Sequence, residues 1–282
     1  MEINKIISLE NNGLNMEILK NDIYVRNGKN MLKYDLISFN KTMEKQILNK
    51  DGMARSFFIN GNKLYLRDFC DLYELNCNSM ETLRTWKLGE NLSSDICSEN
   101  GDKNNIYACI RGGNIIKIDI KTGKYKNYLI SNSSMWDIIV NKNFIYVVNT
   151  EGQLIQIDGN NMSIIQTKNV HRKNIYSIII HKNVLYTVSQ DKALIATDSR
   201  NLDTLCIAKN VMNNMSIIIG IFNNKLVTSN PNRNEITIWN INDLSVNKII
   251  EFPTYRNGVI IHKNAIYGSN KNGIYKLDIE NI

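Results

Sequence analysis

Long hydrophobic runs are missing from this chain. The longest, such as Ser216 to Phe222, fall far short of the roughly 20 residues that a membrane-crossing helix requires. The apolar 43% of its 282 residues is therefore available for a large interior. The first ten residues carry an acid at position 2 and no apolar stretch, so neither a secretory signal nor a basic transit peptide is expected. The reading is a soluble, cytoplasmic protein without a membrane partner. CxxC spacing is also absent: the five cysteines, Cys70, Cys77, Cys97, Cys109 and Cys206, are odd in number and read as thiols in a reducing compartment rather than zinc ligands. Histidine is scarce. His181 and His262 open the same His-Lys-Asn turn, a place that Asn141 fills elsewhere, so turn chemistry accounts for them better than metal binding. Arg111-Gly-Gly is a turn with no phosphate-loop or dinucleotide fingerprint around it. No metal and no cofactor are expected. Proline occurs twice, whereas Lys, Asn and Ile abound, the bias of an AT-rich coding sequence.

What the chain does have is repetition. Asn141 to Asp158 reads NKNFIYVVNTEGQLIQID, and forty residues on, His181 to Asp198 reads HKNVLYTVSQDKALIATD. An apolar-Tyr step recurs at Tyr24, Tyr65, Tyr107, Tyr146, Tyr186 and Tyr267, with Val227 standing in once. An acid or amide follows each within an alternating strand, at Asp35, Glu74, Asp119, Asp158, Asp198, Asn240 and Asp278. Both series count seven units of about 40 residues, the period of propeller blades built from four short strands. One unit parses as strands at 135–140, 144–149, 153–158 and 163–170, with Asn, Gly and Asp in the turns. The last unit stops after its third strand, and the chain opens on an orphan strand, Glu2 to Leu9. The expectation is an all-β, seven-bladed propeller of four-stranded antiparallel blades, one domain over residues 1–282, its ring closed by the N-terminal strand.

The unit from His171 to Asp198 resembles the WD40 and YVTN/PQQ-like seven-bladed propellers, and the resemblance extends over the whole chain. It implies a buried hydrogen-bonded set in which His171, Ser189 and Asp191 take part, with Thr197 where such blades carry Trp. Ile236 to Ile241 resembles a third strand of the same type, although its blade lacks the matching His and Asp. Propellers serve as scaffolds, receptors and enzymes alike, so function has to be argued from a site.

Arginine supplies that argument. Of nine arginines, seven (Arg26, Arg55, Arg67, Arg111, Arg172, Arg233 and Arg256) map to the loops of one face, here the top, against a background of 25 lysines. Arginine's planar fork grips carboxylate or phosphate in a way that lysine does not. Trp136, Tyr176 and Tyr255 fall beside them. Two readings stay open: an open anion-binding mouth, or a rim neutralised by top-loop acids such as Asp51, Asp68, Asp95, Asp137, Glu151 and Asp191. The opposite face carries a lysine in each turn between strands one and two (Lys20, Lys63, Lys103, Lys142, Lys182, Lys225 and Lys263). No aromatics interleave with them, which argues against nucleic acid. The net charge of +7 suits an acidic partner without naming one.

The leading expectation is a non-catalytic, monomeric recognition module. It would bind an acidic peptide, protein segment or anionic small molecule through Arg55, Arg67, Arg111, Trp136, Tyr176, Tyr255 and Arg256. The alternative is an enzyme, a lyase or a peptide- or metabolite-modifying activity at the same mouth, with Asp95 or Asp137 as base and Tyr176 as proton donor.

Overall fold

The structure is a computed structural model that describes residues 3–9, 13–48, 57–68, 71–88, 96–110, 112–209, 216–230, 232–253, 258–270 and 272–279, with backbone alone at 13–14, 67–68 and 96–99. Its 28 strands form seven four-stranded antiparallel sheets, and six of these sheets are consecutive along the chain. Blades 1 to 6 begin with the strands at Gly13, Phe57, Ile96, Met135, Ile175 and Ile217. Blade 4, for example, comprises Met135–Asn141, Phe144–Asn149, Gln153–Asp158 and Ile164–Asn169. The seventh sheet takes three strands from the C-terminal end, Val259–His262, Ala265–Asn270 and Gly273–Asp278, and its outermost strand from the other end, Ile3–Ser8. That closing strand lies antiparallel to its neighbour, with Ile3 opposite Leu277 and Ser8 opposite Gly273.

A single blade cannot bury both faces, so the core is distributed over the seams between blades. Each of the seven hydrophobic clusters draws on two adjacent blades. Tyr146, Val148 and Leu154 of blade 4 pack with Ile175, Leu185 and Leu202 of blade 5, for instance. Burial falls from the second strand outward. Phe144–Asn149 is buried throughout after its first residue, whereas Ile164–Asn169 is exposed at every other position or more.

The recurring tyrosines all lie in these seams, buried at 0 to 5% exposure. Their hydroxyls reach across. Tyr24 donates to the carbonyl of Cys77 (2.9 Å), Tyr146 to that of Ser199 (3.0 Å) and Tyr186 to that of Ile241 (3.4 Å). In each case the acceptor is the residue just after the third strand of the next blade. At two further seams another donor from the preceding blade takes the equivalent carbonyl: Arg84 reaches Ile120 (2.9 Å) and Lys117 reaches Gly159 (2.6 Å). The repeat thus conserves the acceptor, and different side chains satisfy it.

The second marker series caps turns. Asp35, Asp119, Asp158 and Asp198 each end a third strand, and one carboxylate oxygen accepts the backbone N–H two or three residues on. This is the Asx geometry that favours the bend. The hydrogen bond from the Ser38 backbone holds the Asp35 carboxyl below its ordinary value. Blade 2 corrects the sequence reading here. Asn76, not Glu74, occupies the capping place, accepting from Asn78 (2.8 Å) and Ser79 (3.2 Å), whereas Glu74 is buried within its strand opposite Tyr65 and bound to Lys63. The buried chains of Met80, Met162 and Leu202 then adopt positive φ, 52 to 64°, four residues after their caps. A left-handed L-residue costs roughly 1–2 kcal/mol, and burying a Leu or Met contributes about 1.5–3 kcal/mol, so the packing can offset the turn.

Blades 6 and 7 each bury a hydroxyl where blades 4 and 5 bury an alkyl group. The position two residues after the tyrosine, or after its stand-in Val227 in blade 6, is Val148 in blade 4 and Val188 in blade 5, but Ser229 in blade 6 and Ser269 in blade 7. Both serines are fully buried, and neither hydroxyl has a hydrogen-bond partner among the described residues. An unmade buried hydrogen bond costs about 1–3 kcal/mol. Ser229→Val and Ser269→Val are therefore each expected to raise the melting temperature by roughly 2–4 °C, measured by thermal denaturation. A fall would mean that these seams lack room for the methyl groups.

Candidate functional site

The antiparallel alternation sends the turns between strands two and three, and the links to the next blade, to one end of every sheet. All turns between strands one and two lie at the other. The seven turn lysines accordingly occupy the far face. Five of them, Lys20, Lys103, Lys142, Lys182 and Lys263, are exposed at their turns, whereas Lys63 folds back to Glu74 and Lys225 to Asn240.

On the top face, Trp136 and Tyr176 are brought together by the same device in two adjacent blades. The innermost strands of blades 4 and 5 each shift register at their second residue, between Met135 and Asp137 and between Ile175 and Ser177. A bulge of this kind re-aims the extra side chain. Here it leaves Trp136 and Tyr176 half-buried and edge to face, with ring centroids 5.9 Å apart and planes at 80°. Asp137, which follows the first bulge, accepts from the N–H of Ile138 (2.9 Å) with one oxygen and of Ile178 in blade 5 (2.9 Å) with the other. Its carboxylate ties together the two innermost strands that carry the aromatic pair.

His171 and Asp191 stand outward of this pair in blade 5. The imidazole Nδ1 lies 3.1 Å from both carboxylate oxygens, and Nε2 lies 2.9 Å from the Thr187 hydroxyl. A carboxylate only accepts, so Nδ1 carries the proton and Nε2 accepts from Thr187. Burial pushes the His171 pKa below its ordinary value despite the neighbouring carboxylate, and the ring is neutral at pH 7. Burial works against the ionised form of Asp191 as well. Hydrogen bonds from the Arg172 and Ala193 backbones, together with His171, still bring its carboxyl below the usual range. The hydroxyl in this set is Thr187. Ser189, which the spacing had suggested, donates instead to the carbonyl of Lys173 (3.1 Å). The expected Trp position holds Thr197, but in blade 6 the indole of Trp239 does donate to Thr228 (2.9 Å), at the place equivalent to Thr187.

Among the arginines, Arg26 is buried and donates to the carbonyl of Gly28 (3.0 Å). Arg172 is exposed, and Arg233 approaches Glu235 only to 4.0 Å. The two arginines outside the set of seven have structural posts: Arg84 clamps blade 3, and Arg200 forks onto Asp198 (3.0 and 2.6 Å), whose pKa that contact brings to about 2. Arg67 is described by its backbone alone, in the second strand of blade 2 opposite Leu72. Arg55, Asp95, Arg111, Tyr255 and Arg256 lie outside the described residues.

A feature that the sequence reading missed sits at the top outer edge of the seam between blades 3 and 4. A groove of about 680 Å³, open to solvent, runs between Leu129 and Ser133 on one side and Gln153, Ile155 and Thr167 on the other, with Glu151 at its lip.

No family model matches the chain, and no curated protein does. Solved structures do. The WD40 repeats of RRP9 superpose with a TM-score of 0.84 at 9% identity, covering 99% of this chain and 97% of that one. A chain from the mitotic checkpoint complex gives 0.83 at 11% identity over 98% and 91%. The β-propeller domain of Myceliophteria thermophila Cps50 (Swd1) gives 0.78 at 12% identity over 98% and 100%. The fold is the WD40-type seven-bladed propeller. At such identities the likeness is one of architecture, and the His171 and Trp239 sets are the places where side chains of this propeller resemble the type's signature.

Proposed function

We propose that this propeller is a non-catalytic recognition module whose top face receives an acidic protein segment or an anionic small molecule. The observation that carries the reading is how the described top acids are used. Asp137 accepts from two backbone N–H groups, and Asp191 is taken up by His171 and the backbone, so Asp191 does not neutralise the Arg172 side chain. Arg172 stands exposed beside them with no acidic partner among the described residues. The Trp136–Tyr176 pair adds a rigid, flat wall at the innermost strands, the kind of surface on which a peptide packs at small entropic cost. Similarity to a chain solved within a multiprotein complex supports a protein partner in general terms.

The test uses a fluorescein-labelled acetyl-hexaglutamate peptide. Arg55→Lys and Arg256→Lys are each expected to weaken binding about tenfold or more, because a charge-assisted bidentate contact is worth roughly 1.5–3 kcal/mol and lysine cannot form the fork. Trp136→Ala should weaken it similarly, whereas a Lys142→Ala, Lys182→Ala pair on the far face should change it less than twofold. Equal losses from the arginine and lysine variants would reject a top-face site in favour of general electrostatic attraction.

A further inference from the structure

The groove between blades 3 and 4 can be read against the same place one seam further on, between blades 4 and 5. The main chain is arranged alike in both. Ile130 and Ser131 donate to the carbonyl of Gly113, just as Val170 and His171 donate to the carbonyl of Gly152. The two glycines, with φ of +83° and +77°, let the link cross so closely that a Cβ would meet the carbonyl oxygen of Ser131 at 1.7 Å and of His171 at 2.3 Å. Ser131 therefore stands where His171 stands, and Glu151 where Asp191 stands.

The side chains differ in one respect that matters. At the blade 4–5 seam an imidazole is inserted against blade 5 and its ring N–H meets the acid. At the blade 3–4 seam Ser131 is too short to do so. It accepts from Asn149 (3.3 Å) and from the Ser133 N–H (3.0 Å), and Val147 replaces Thr187 beneath it. Asn149 also accepts from the Gln153 N–H (3.0 Å), a counterpart of the bond that Ala193 gives Asp191. Glu151 is consequently exposed, with neither a hydrogen bond nor an ion pair to its carboxylate among the described residues. The walls are set by these internal bonds. An apolar strip of Ile130 and Ile155, with Leu129 67% exposed, runs along the groove.

We infer that this groove is a docking site for an extended segment of a partner protein, which supplies the basic side chain that blade 4 lacks. An Arg or Lys would reach Glu151 as His171 reaches Asp191, and a neighbouring aliphatic residue would cover Leu129. The site is independent of the top mouth and has the opposite charge preference. Its volume lies within the range of ligand pockets, but an open, largely polar lining suits a peptide better than an enclosed small molecule.

The probe is a fluorescein-labelled, amidated Ser-Leu-Arg-Leu-Ser peptide, compared with the same peptide carrying Glu in place of Arg. Saturable binding of the Arg peptide is expected, with at least a tenfold loss for the Glu peptide and for Glu151→Gln, an exposed change that leaves packing alone. Ser131→His combined with Val147→Thr, which rebuilds the blade 5 arrangement, should occupy the seat and abolish binding. In amide NMR spectra the peptide should shift Gln153, Thr167 and Asn169 rather than residues near Trp136. Indifference of binding to Glu151→Gln, absence of saturation up to millimolar peptide, or shifts centred on the channel mouth would each overturn the assignment.

Discussion

A chain lacking residues 1–9 is expected to lose its cooperative thermal transition altogether, rather than to lose one strand's worth of signal. The strand Ile3–Ser8 touches both seams of blade 7. Ile7 and Leu9 are buried with blade 1, Ile6 packs beside them, and Ile3 packs into the cluster shared with blade 6. Fully burying such a side chain contributes about 1.5–3 kcal/mol, so with Ile7 and Leu9 buried and Ile3 and Ile6 only partly so, the segment accounts for roughly 4–8 kcal/mol against a total stability near 5–15 kcal/mol. Its removal also uncovers the edge of Gly273–Asp278 for pairing with other chains. Circular dichroism melts and size-exclusion profiles report both effects, and adding a synthetic peptide of residues 1–12 should restore a folded monomeric peak. A truncated protein that melts cooperatively within a few degrees of the parent would refute this account of closure.

The second large effect belongs to His171. His171→Ala should cost about 2–3 kcal/mol, because the buried Thr187 hydroxyl and the Asp191 carboxylate both lose their partner. The same residue sets a pH dependence. Its pKa is lower in the folded state than in the unfolded chain, where an ordinary imidazole titrates near 6.5. As pH falls through that region the unfolded chain takes up a proton that the native state refuses. Stability then drops until the folded pKa is passed. Asp191 acts in the same direction at lower pH, since its carboxyl is also below its ordinary value in the fold and its contribution is lost as it protonates. Urea titrations at pH 7.0 and 5.0 should show a larger stability loss in the parent than in His171→Gln, which keeps hydrogen-bonding capacity without titrating. Identical losses in the two proteins would remove His171 from the acid response.

Ring architecture was readable from the chain because it is written seven times. A one-residue slip would turn each seam tyrosine to the wrong face, so its recurrence carries register as well as count. Glu74 shows how such reading fails. An acid near the expected place outweighed Asn76, although the cap needs only a side-chain oxygen at the strand's end, and Asn supplies one equally well. Ser189 and Thr187 differ in the same way, since two hydroxyls of one strand cannot be ranked by spacing when only the fold determines which faces the imidazole. The blade 3–4 groove was the least accessible. Its signal was a serine where another blade holds a histidine, and a substitution to something smaller is visible only once the two links are known to follow one path.

The closing strand also has a consequence for biosynthesis. Ile3–Ser8 leaves the ribosome well before its pairing partner Gly273–Asp278, which is made some 265 residues later. At roughly 5–20 residues per second this separation corresponds to about 13–55 s. Blades 1 to 6 can pair their strands as they emerge, while an aliphatic segment waits in the company of a growing, open arc. The interval is one in which a factor that shields short apolar strands would bear on yield far more than on final stability, and a slowed translation of the last blade would lengthen it directly.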